Sequence, residues 1–463
     1  MNVAVIGTGR VGVVTCVASS VLGHDVIGTD VDHDKIALLS RGVPPFYEPQ
    51  LEDSLAAELA SGRLSFTVDP AEAIRTAEVI FICVGTPARH DGEADLLAVE
   101  RAVREVGRHA ADGALVVEKS TVPAGTVDRI RETLEREGNG RRVHLASNPE
   151  FLREGLALRD ALEPDRIVLG VESDAGRELL ERLYRPLLTK GVRVIVTDIR
   201  TAELAKHASN AFLATKISFA NALARVCERT GADVSAVADV MGADARIGRA
   251  FLDAGLGYGG YCLPKDVAAL ERLAARLGYR FGLLEEVERV NAEAVRSLAS
   301  KVEDAVWNLE GKRIALLGLA FKPDTDDVRS SPALALAGQL RTAGADLVAY
   351  DPKAASEALV EMPGLEIAAD PYAAAAGAHC LVVATDWPEF RALDLEALGR
   401  AMTHRIVVDA RNLFDPAEMA AAGFWYHSAG RPSTRPDATD DALDRERPPA
   451  LAAGSPRPED PWS

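Results

Sequence analysis

Val3-Ala4-Val5-Ile6-Gly7-Thr8-Gly9-Arg10-Val11-Gly12 decides the fold. Four apolar residues of β type run into Gly-x-Gly-x-x-Gly, and the residues that follow, to about Leu22, read as a helix. Strand, glycine turn and helix in that order form a dinucleotide-binding unit. Gly7 permits the tight turn, Gly9 lets backbone approach a pyrophosphate, and Gly12 lets helix and strand pack closely. Beyond Gly12, Asp30 ends the next strand, placed to accept hydrogen bonds from an adenosine ribose and to repel a 2′-phosphate; this favours NAD over NADP. Asp32 and Asp34 compete with Asp30 for helix-capping duty, and Lys35 faces either the same ribose or solvent.

Outward from this unit, short apolar runs alternate with helical patterns: Asp25–Thr29, Val79–Val84, Leu115–Glu118, Val143–Ala146, Ile167–Gly170 and Val192–Val196. The alternation predicts βαβ crossovers and a parallel sheet covered on both faces. A second series, Arg313–Leu317, Asp346–Tyr350, Cys380–Ala384 and Ile406–Val408, predicts a second sheet of the same kind. The middle has no convincing strand, and Leu283, Val287, Val290, Ala294, Leu298, Val302 and Val306 mark a long amphipathic helix. The expected fold is α/β: two Rossmann-like, doubly wound parallel-sheet domains joined by a helical middle domain with a long linking helix. The expected divisions are an NAD-binding domain over 1–197, a helical, dimer-forming middle over 198–310, a second Rossmann-like domain over 311–430, and a disordered Pro-rich tail over 431–463.

Composition narrows the function. The 463 residues carry 52 basic and 70 acidic side chains, a net charge of −18, which argues against a general nucleic-acid binder. No apolar run is long enough to cross a membrane, and Met1 leads at once into the first strand without a basic leader. Five scattered cysteines with no C-x-x-C spacing suit a reducing compartment and suggest no metal site, so the cytoplasm is the expected location.

Three clusters carry chemistry. Gly255-Leu256-Gly257-Tyr258-Gly259-Gly260-Tyr261-Cys262-Leu263-Pro264-Lys265-Asp266 delivers one thiol, a lysine and an aspartate after glycines that admit a ligand to the backbone. A cation or helix N-terminus lowers a thiol pKa, so Cys262 is a candidate nucleophile, whereas the other four cysteines read as buried hydrophobes. In Asn148-Pro149-Glu150-Phe151-Leu152-Arg153-Glu154-Gly155, Glu150 and Glu154 share a face if the segment is helical, or simply enrich a first helical turn in acid. Lys206 and Asn210 lie one turn apart at the head of an apolar stripe, as a functional pair or with Lys206 snorkelling to the surface. Thr86 and Thr121 sit at strand ends on the ligand-binding edge. Lys322 and Arg329 suit a diphosphate, while Asp324, Asp326 and Asp327 read as a solvated loop.

These motifs, with Tyr47-Glu48-Pro49, Arg246-Ile247-Gly248, Phe251–Asp266, Gly318–Pro332 and Asp409–Asn412, occur together over residues 1 to about 427. In that order the chain resembles the nucleotide-sugar dehydrogenases. The resemblance implies that Cys262 is the nucleophile, that Lys206 and Asn210 stabilise an oxyanion at the sugar C6, and that Asp266, Thr121 and Glu150 serve the hydrolytic water and its proton. It implies cofactor contacts from Val11, Asp30, Lys35, Thr86, Thr121, Glu154, Lys265 and Arg329. For a UDP-sugar it implies Glu150, Phe151, Leu152, Arg153, Glu154, Lys206 and Asn210, the backbone of Phe251, Leu252, Asp253, Ala254 and Gly255, then Gly259 and Lys322. Arg246 resembles a residue that reaches the substrate from a partner subunit, which implies a homodimer. Arg246-Ile247-Gly248 with Phe251-Leu252 resembles the UDP-glucose branch, implying oxidation to UDP-glucuronate at the expense of two NAD. A sister specificity for GDP-mannose or a UDP-N-acetylhexosamine, and a noncatalytic NAD or nucleotide-sugar sensor, are the alternatives. The chain departs from the common pattern at Arg10, where many relatives carry Tyr, at Tyr261, in place of a small residue, and at Leu263, where Phe is frequent.

Overall fold

The computed structural model describes residues 1–87, 89 and 92–436. Eight strands form the first sheet: β1 (Asn2–Ile6), β2 (Asp25–Thr29), β3 (Leu64–Thr67), β4 (Val79–Ile82), β5 (Leu115–Glu118), β6 (His144–Ser147), β7 (Arg166–Val171) and β8 (Arg193–Thr197). Their order is β3-β2-β1-β4-β5-β6-β7-β8, with the reversal that makes a ligand crevice at β1/β4. Six strands form the second sheet: β9 (Arg313–Leu317), β10 (Asp346–Tyr350), β11 (Glu366–Ile367), β12 (Cys380–Val383), β13 (Ile406–Asp409) and β14 (Trp425–Ser428), in the order β11-β10-β9-β12-β13-β14. The short β3, β11 and β14 carry too few apolar residues to stand out in the sequence.

Strand periodicity distributes the core. In β1, Val3 and Val5 join Val13 and Val17 of the helix Arg10–Val21 on one face, while Ala4 and Ile6 join Ile74, Ile80 and Ile82 on the other. All four residues of β4, β5 and β12 are buried, as strands covered on both faces must be.

One pairing differs from the parallel expectation. β6 and β7 are antiparallel and share only Ala146↔Val171 and Ser147↔Gly170. The chain between them therefore stays at the carboxyl edge, and β7 with its parallel neighbour β8 projects past that edge. The connection that a parallel crossover would have carried away instead remains as a wall of the crevice.

Between the sheets lie the helices Ile199–Thr230, Val234–Gly242, Cys262–Arg276 and Gly282–Val306. Asp198 caps the first, its side chain accepting from the Thr201 amide at 2.9 Å, and Gly231 ends it at φ +75°. The apolar stripe of Gly282–Val306 is buried at Val287, Val290, Ala294, Leu298 and Val302, and its far end joins the core of the second sheet. Leu283 is the exception, exposed while Leu284 takes its place. At the end of the described chain, Thr434 bridges to Tyr426 and Arg431 donates to Ser235 Oγ at 2.9 Å. The rest of the expected tail, 437–463, lies outside the described residues.

Candidate active site

The carboxyl edge of the first sheet collects Gly7, Asp30, Thr86, Thr121 and Asn148, because parallel register aligns the ends of β1, β2, β4 and β5. Gly7 has φ +93°, and a Cβ there would lie 2.7 Å from the Cys83 carbonyl oxygen. A Cβ on Gly12 would stand 1.8 Å from the Gly7 oxygen, so helix and turn meet through bare backbone. At Gly9 no atom lies within 4 Å of such a Cβ, leaving the open approach that a pyrophosphate needs. Asp30 accepts from the Thr8 amide at 2.8 Å and from Lys35 Nζ at 3.0 Å. Burial works against its charge, but the Thr8 amide and Lys35 hold its carboxyl below the ordinary range. Asp32 is the helix cap, accepting from the Asp34 and Lys35 amides, which leaves Asp30 for a ligand. These residues fit NAD. Thr86 Oγ1 donates to the Thr121 carbonyl at 2.9 Å, joining the two strand-end threonines.

The helix Ile199–Thr230 turns an unusual face inward. Glu203, Lys206, His207 and Asn210, spaced as a core stripe should be, are all buried although all are polar. Lys206 Nζ pairs with Glu150 Oε1 at 2.9 Å, both side chains sealed from solvent. Burial pulls the Lys206 pKa down, yet Glu150, Cys262 and Asp266 together hold it above its usual value. Asn210 Nδ2 donates to Asp266 Oδ2 at 2.5 Å, and Lys265 Nζ to Asp266 Oδ1 at 2.7 Å. Lys206 is therefore not a snorkelling surface lysine.

Cys262 opens the helix Cys262–Arg276. Its surroundings raise the thiol pKa to about 12: burial acts first, Glu150 adds to it, and Lys206 opposes. Burial outweighs the lysine, which favours the thiol at rest over the thiolate that the sequence suggests. The other four cysteines are buried and free.

Residues 148–156 are not helical, so Glu150 and Glu154 do not share a face. Glu150 Oε2 accepts from the Leu152 amide at 2.7 Å, and Gly155 turns the chain at φ +81°. Glu154 faces the second sheet, where Thr325 Oγ1 donates to it at 3.2 Å; burial first, then Asp327, raises its carboxyl to about 7. Phe151 lies under Arg166 at 3.8 Å, and Arg153 pairs with Asp160. A cleft of about 520 Å³ runs along this segment and is also lined by Lys119, Tyr184, Lys206, Asn210 and Phe251. Cys262, Lys322 and residues 252–259 are not among its walls.

The glycine loop is a seam. A Cβ on Gly255 would meet the Ala410 oxygen at 2.3 Å, and one on Gly259 the Ser330 oxygen at 2.3 Å. Phe251 holds φ +66°, a strained value for a bulky side chain. Leu252 and Ala254 are buried, and Asp253 is exposed and bonded to Arg249. Asp326 and Asp327 are not a solvated loop: Asp326 takes Arg10 and the Tyr47 amide, and Asp327 is buried against Arg329 at 2.6 Å. Arg329 also leans over the Tyr261 ring at 4.4 Å. Burial lowers the Lys322 pKa, with Glu154 and Glu48 opposing. Val11 is half-buried in the cofactor turn, and Arg246 points away, its side chain 89% exposed and paired with Asp244.

Sequence reasoning missed His207, Lys119 and Tyr184. His207 was detectable as the partner of Lys206 on the inward stripe. Lys119 and Tyr184 both meet Asn148 Oδ1, at 3.1 and 2.5 Å, through contacts that no spacing reveals.

Three family models match in order: the NAD-binding domain of the UDP-glucose/GDP-mannose dehydrogenases over residues 1–188, their central domain over 200–293, and their UDP-binding domain over 315–416. A UDP-glucose 6-dehydrogenase of Rhizobium meliloti is 45% identical over 436 residues, covering 93% of this chain and 100% of that protein. One from Bacillus subtilis is 43% identical, covering 94% of each. Among solved structures, a UDP-glucose dehydrogenase of Pyrobaculum islandicum superposes with a TM-score of 0.86 at 39% identity, covering 93% of this chain and 98% of that one. The UDP-D-ManNAc dehydrogenase of Pyrococcus horikoshii gives 0.82 at 30% identity, covering 93% and 99%. Matched by three family models in order and by these relatives over 93–94% of its length, the chain belongs to the UDP-glucose/GDP-mannose dehydrogenase family.

Proposed function

We propose that the chain oxidises the C6 alcohol of UDP-glucose to the carboxylate of UDP-glucuronate, reducing two NAD per sugar. The observation that carries this reading is the buried group Lys206, Asn210 and Asp266, with the half-buried Cys262 one helical turn before Asp266 on the same helix. The higher identity to UDP-glucose enzymes than to the solved ManNAc enzyme supports the choice of sugar.

NAD, held by the Gly7–Gly12 turn and Asp30, supplies the hydride acceptor. Lys206 and Asn210 direct a cation and a neutral donor at the oxygen on C6, where charge grows as hydride leaves. The Cys262 sulfur adds to the carbonyl carbon of the resulting aldehyde while its proton passes to the carbonyl oxygen, so that a thiohemiacetal rather than a free aldehyde gives up the second hydride. The thioester that remains is hydrolysed, and Asp266, with Thr121 and Glu150, orders the water and takes its proton. Burial, which raises the thiol pKa to about 12, favours the thiol at neutral pH, and a thiol is oxidised more slowly than a thiolate. Lys322, Arg329 and the 251–259 backbone would hold the diphosphate and nucleotide side.

The functional unit is a homodimer in this reading. Phe212, Phe219 and Val226 are 64, 52 and 55% exposed at seven-residue spacing on one helix, an apolar stripe suited to a second copy. The exposed Arg246 would then reach the partner's substrate. A cytoplasmic setting suits both NAD and a reduced thiol. Among the described residues no helix is long and apolar enough to cross a membrane.

Initial rates with UDP-glucose, GDP-mannose and two UDP-N-acetylhexosamines test the proposal. The expected result is efficient turnover of UDP-glucose with two NADH per sugar. Turnover of another sugar without UDP-glucose overturns the specificity, and binding without NADH supports a sensor.

A further inference from the structure

We infer that His207 is a positioning residue that takes a proton from Asp266 and returns it, coupling the reacting cluster to the loop that carries Thr121. The ring is sealed, with 2% exposure. Its Nε2 lies 2.9 Å from the Val122 carbonyl oxygen, which only accepts, so Nε2 carries the hydrogen. Nδ1 is thereby left with a lone pair, buried and without a hydrogen-bond partner among the described residues. A buried polar atom left unpaired is costly and calls for a use. What Nδ1 faces is Asp266 Oδ1, at 3.8 Å.

Asp266 is fully buried, and both its oxygens already accept, from Lys265 and Asn210. Each turnover sheds protons into a site with little water. An Asp266 that kept the first could not take the next. Transfer to Nδ1 converts carboxylic acid and neutral imidazole into carboxylate and imidazolium: one O–H bond breaks, one N–H bond forms, and the charge of the pair is unchanged. The present separation exceeds a hydrogen bond, and such contacts tighten when substrate binds. Protonation also strengthens the Nε2–H bond to Val122, the neighbour of Thr121.

The charged groups facing the ring are Asp266 and Lys265 from the helix Cys262–Arg276 and Lys206 from its own helix; the loop offers only the Val122 carbonyl. Burial, with Lys265 and Lys206, holds the imidazole below its ordinary pKa against Asp266, so at neutral pH Nδ1 is free to accept.

His207→Gln reaches the Val122 carbonyl with its amide but holds no proton, and His207→Phe fills the volume without either property. In His207→Gln, kcat is expected to fall about tenfold or more with little change in KM for UDP-glucose, and the acid limb of the kcat profile contributed by this ring should disappear. Wild-type kcat and profile in that variant overturn the inference. So does a Gln variant whose KM and melting temperature shift as far as those of the Phe variant while the profile keeps its shape, since that is a packing role alone. ¹⁵N shifts of histidine in the unaltered protein give an independent reading: the Nε2–H tautomer is expected, and Nδ1–H overturns the relay. The inference rests on Asp266 belonging to the reacting cluster. Full turnover by Asp266→Asn would remove that premise and the relay together, whereas a silent His207→Gln beside an impaired Asp266→Asn removes the relay alone.

Discussion

Cys262 shows how a residue can be chemically apt and electrostatically restrained at once. Its place at a helix start and beside Lys206 favours the thiolate, but burial and Glu150 win and the pKa rises to about 12. Alkylation by iodoacetamide should therefore be slow at neutral pH and should still be climbing at pH 9, because only the thiolate reacts. A plateau near neutrality would show a thiolate already formed. Cys262→Ser should cut acid formation by about a thousandfold or more while leaving nucleotide binding intact, read as UDP-glucuronate against time. Lys206→Ala should lower kcat by about 10²–10³ through loss of the oxyanion partner. It also leaves Glu150 as an unpaired buried charge, so a lower melting temperature should accompany the kinetic loss.

At the scale of elements, the informative unit is the loop after β5. Glu203 holds it by accepting from the Gly125 and Val127 amides at 2.7 and 3.3 Å. Beneath it Glu118, the last residue of β5, is buried with neither oxygen hydrogen-bonded, since Ser120 directs its hydroxyl to the Ile82 carbonyl instead. Burial raises Glu118 to about 8 and Glu203 to about 7. The sign follows from proton counting. Between the unfolded carboxylate pKa and these raised values the folded state holds the extra proton, so each acid costs stability as pH rises through that window, and the cost is complete above about pH 8. Glu118→Gln should raise stability at pH 8.5 by on the order of 3 kcal/mol, with the gain shrinking toward pH 5. Denaturant unfolding at both pH values checks this, and an equal change at both would contradict it.

For the whole molecule, closure and assembly are the quantities at stake. Arg10, at the start of the first helix, reaches Asp326 and packs over Phe46 at 4.8 Å, so the cofactor turn is tied to the second sheet. The two sheets repeat one device. Gly318, at φ +96°, donates to Tyr350 as Gly7 donates to Thr29, both at 2.8 Å. Asp351 follows β10 as Asp30 follows β2, but where Asp30 keeps a partly open carboxylate, Asp351 is buried under the Leu319 and Ala320 amides and Trp387 Nε1. The second half thus keeps the architecture without an open ribose acceptor. Phe219→Asp with Val226→Asp should yield monomers in sedimentation and lose turnover with UDP-glucose if Arg246 acts across the interface. A fully active monomer would restrict the site to one chain.

By itself the sequence determined the two α/β halves and the glycine turn with Asp30, and it singled out Cys262, Lys206, Asn210 and Asp266 as candidates, because these rest on short-range rules: strand and helix periods, positive φ at glycine, and residue chemistry at fixed spacing. It could not reveal that β7 runs antiparallel to β6, since two residue pairs at a strand end leave no pattern in composition. Nor could it place Glu154 against Thr325, or Asp326 against Arg10, which are some 170 and 316 residues apart in the chain. The tertiary structure alone decided which acids are paired and which are stranded. Burial sets those energies, and burial depends on which distant segments close over a side chain, as they do over His207 and Glu118.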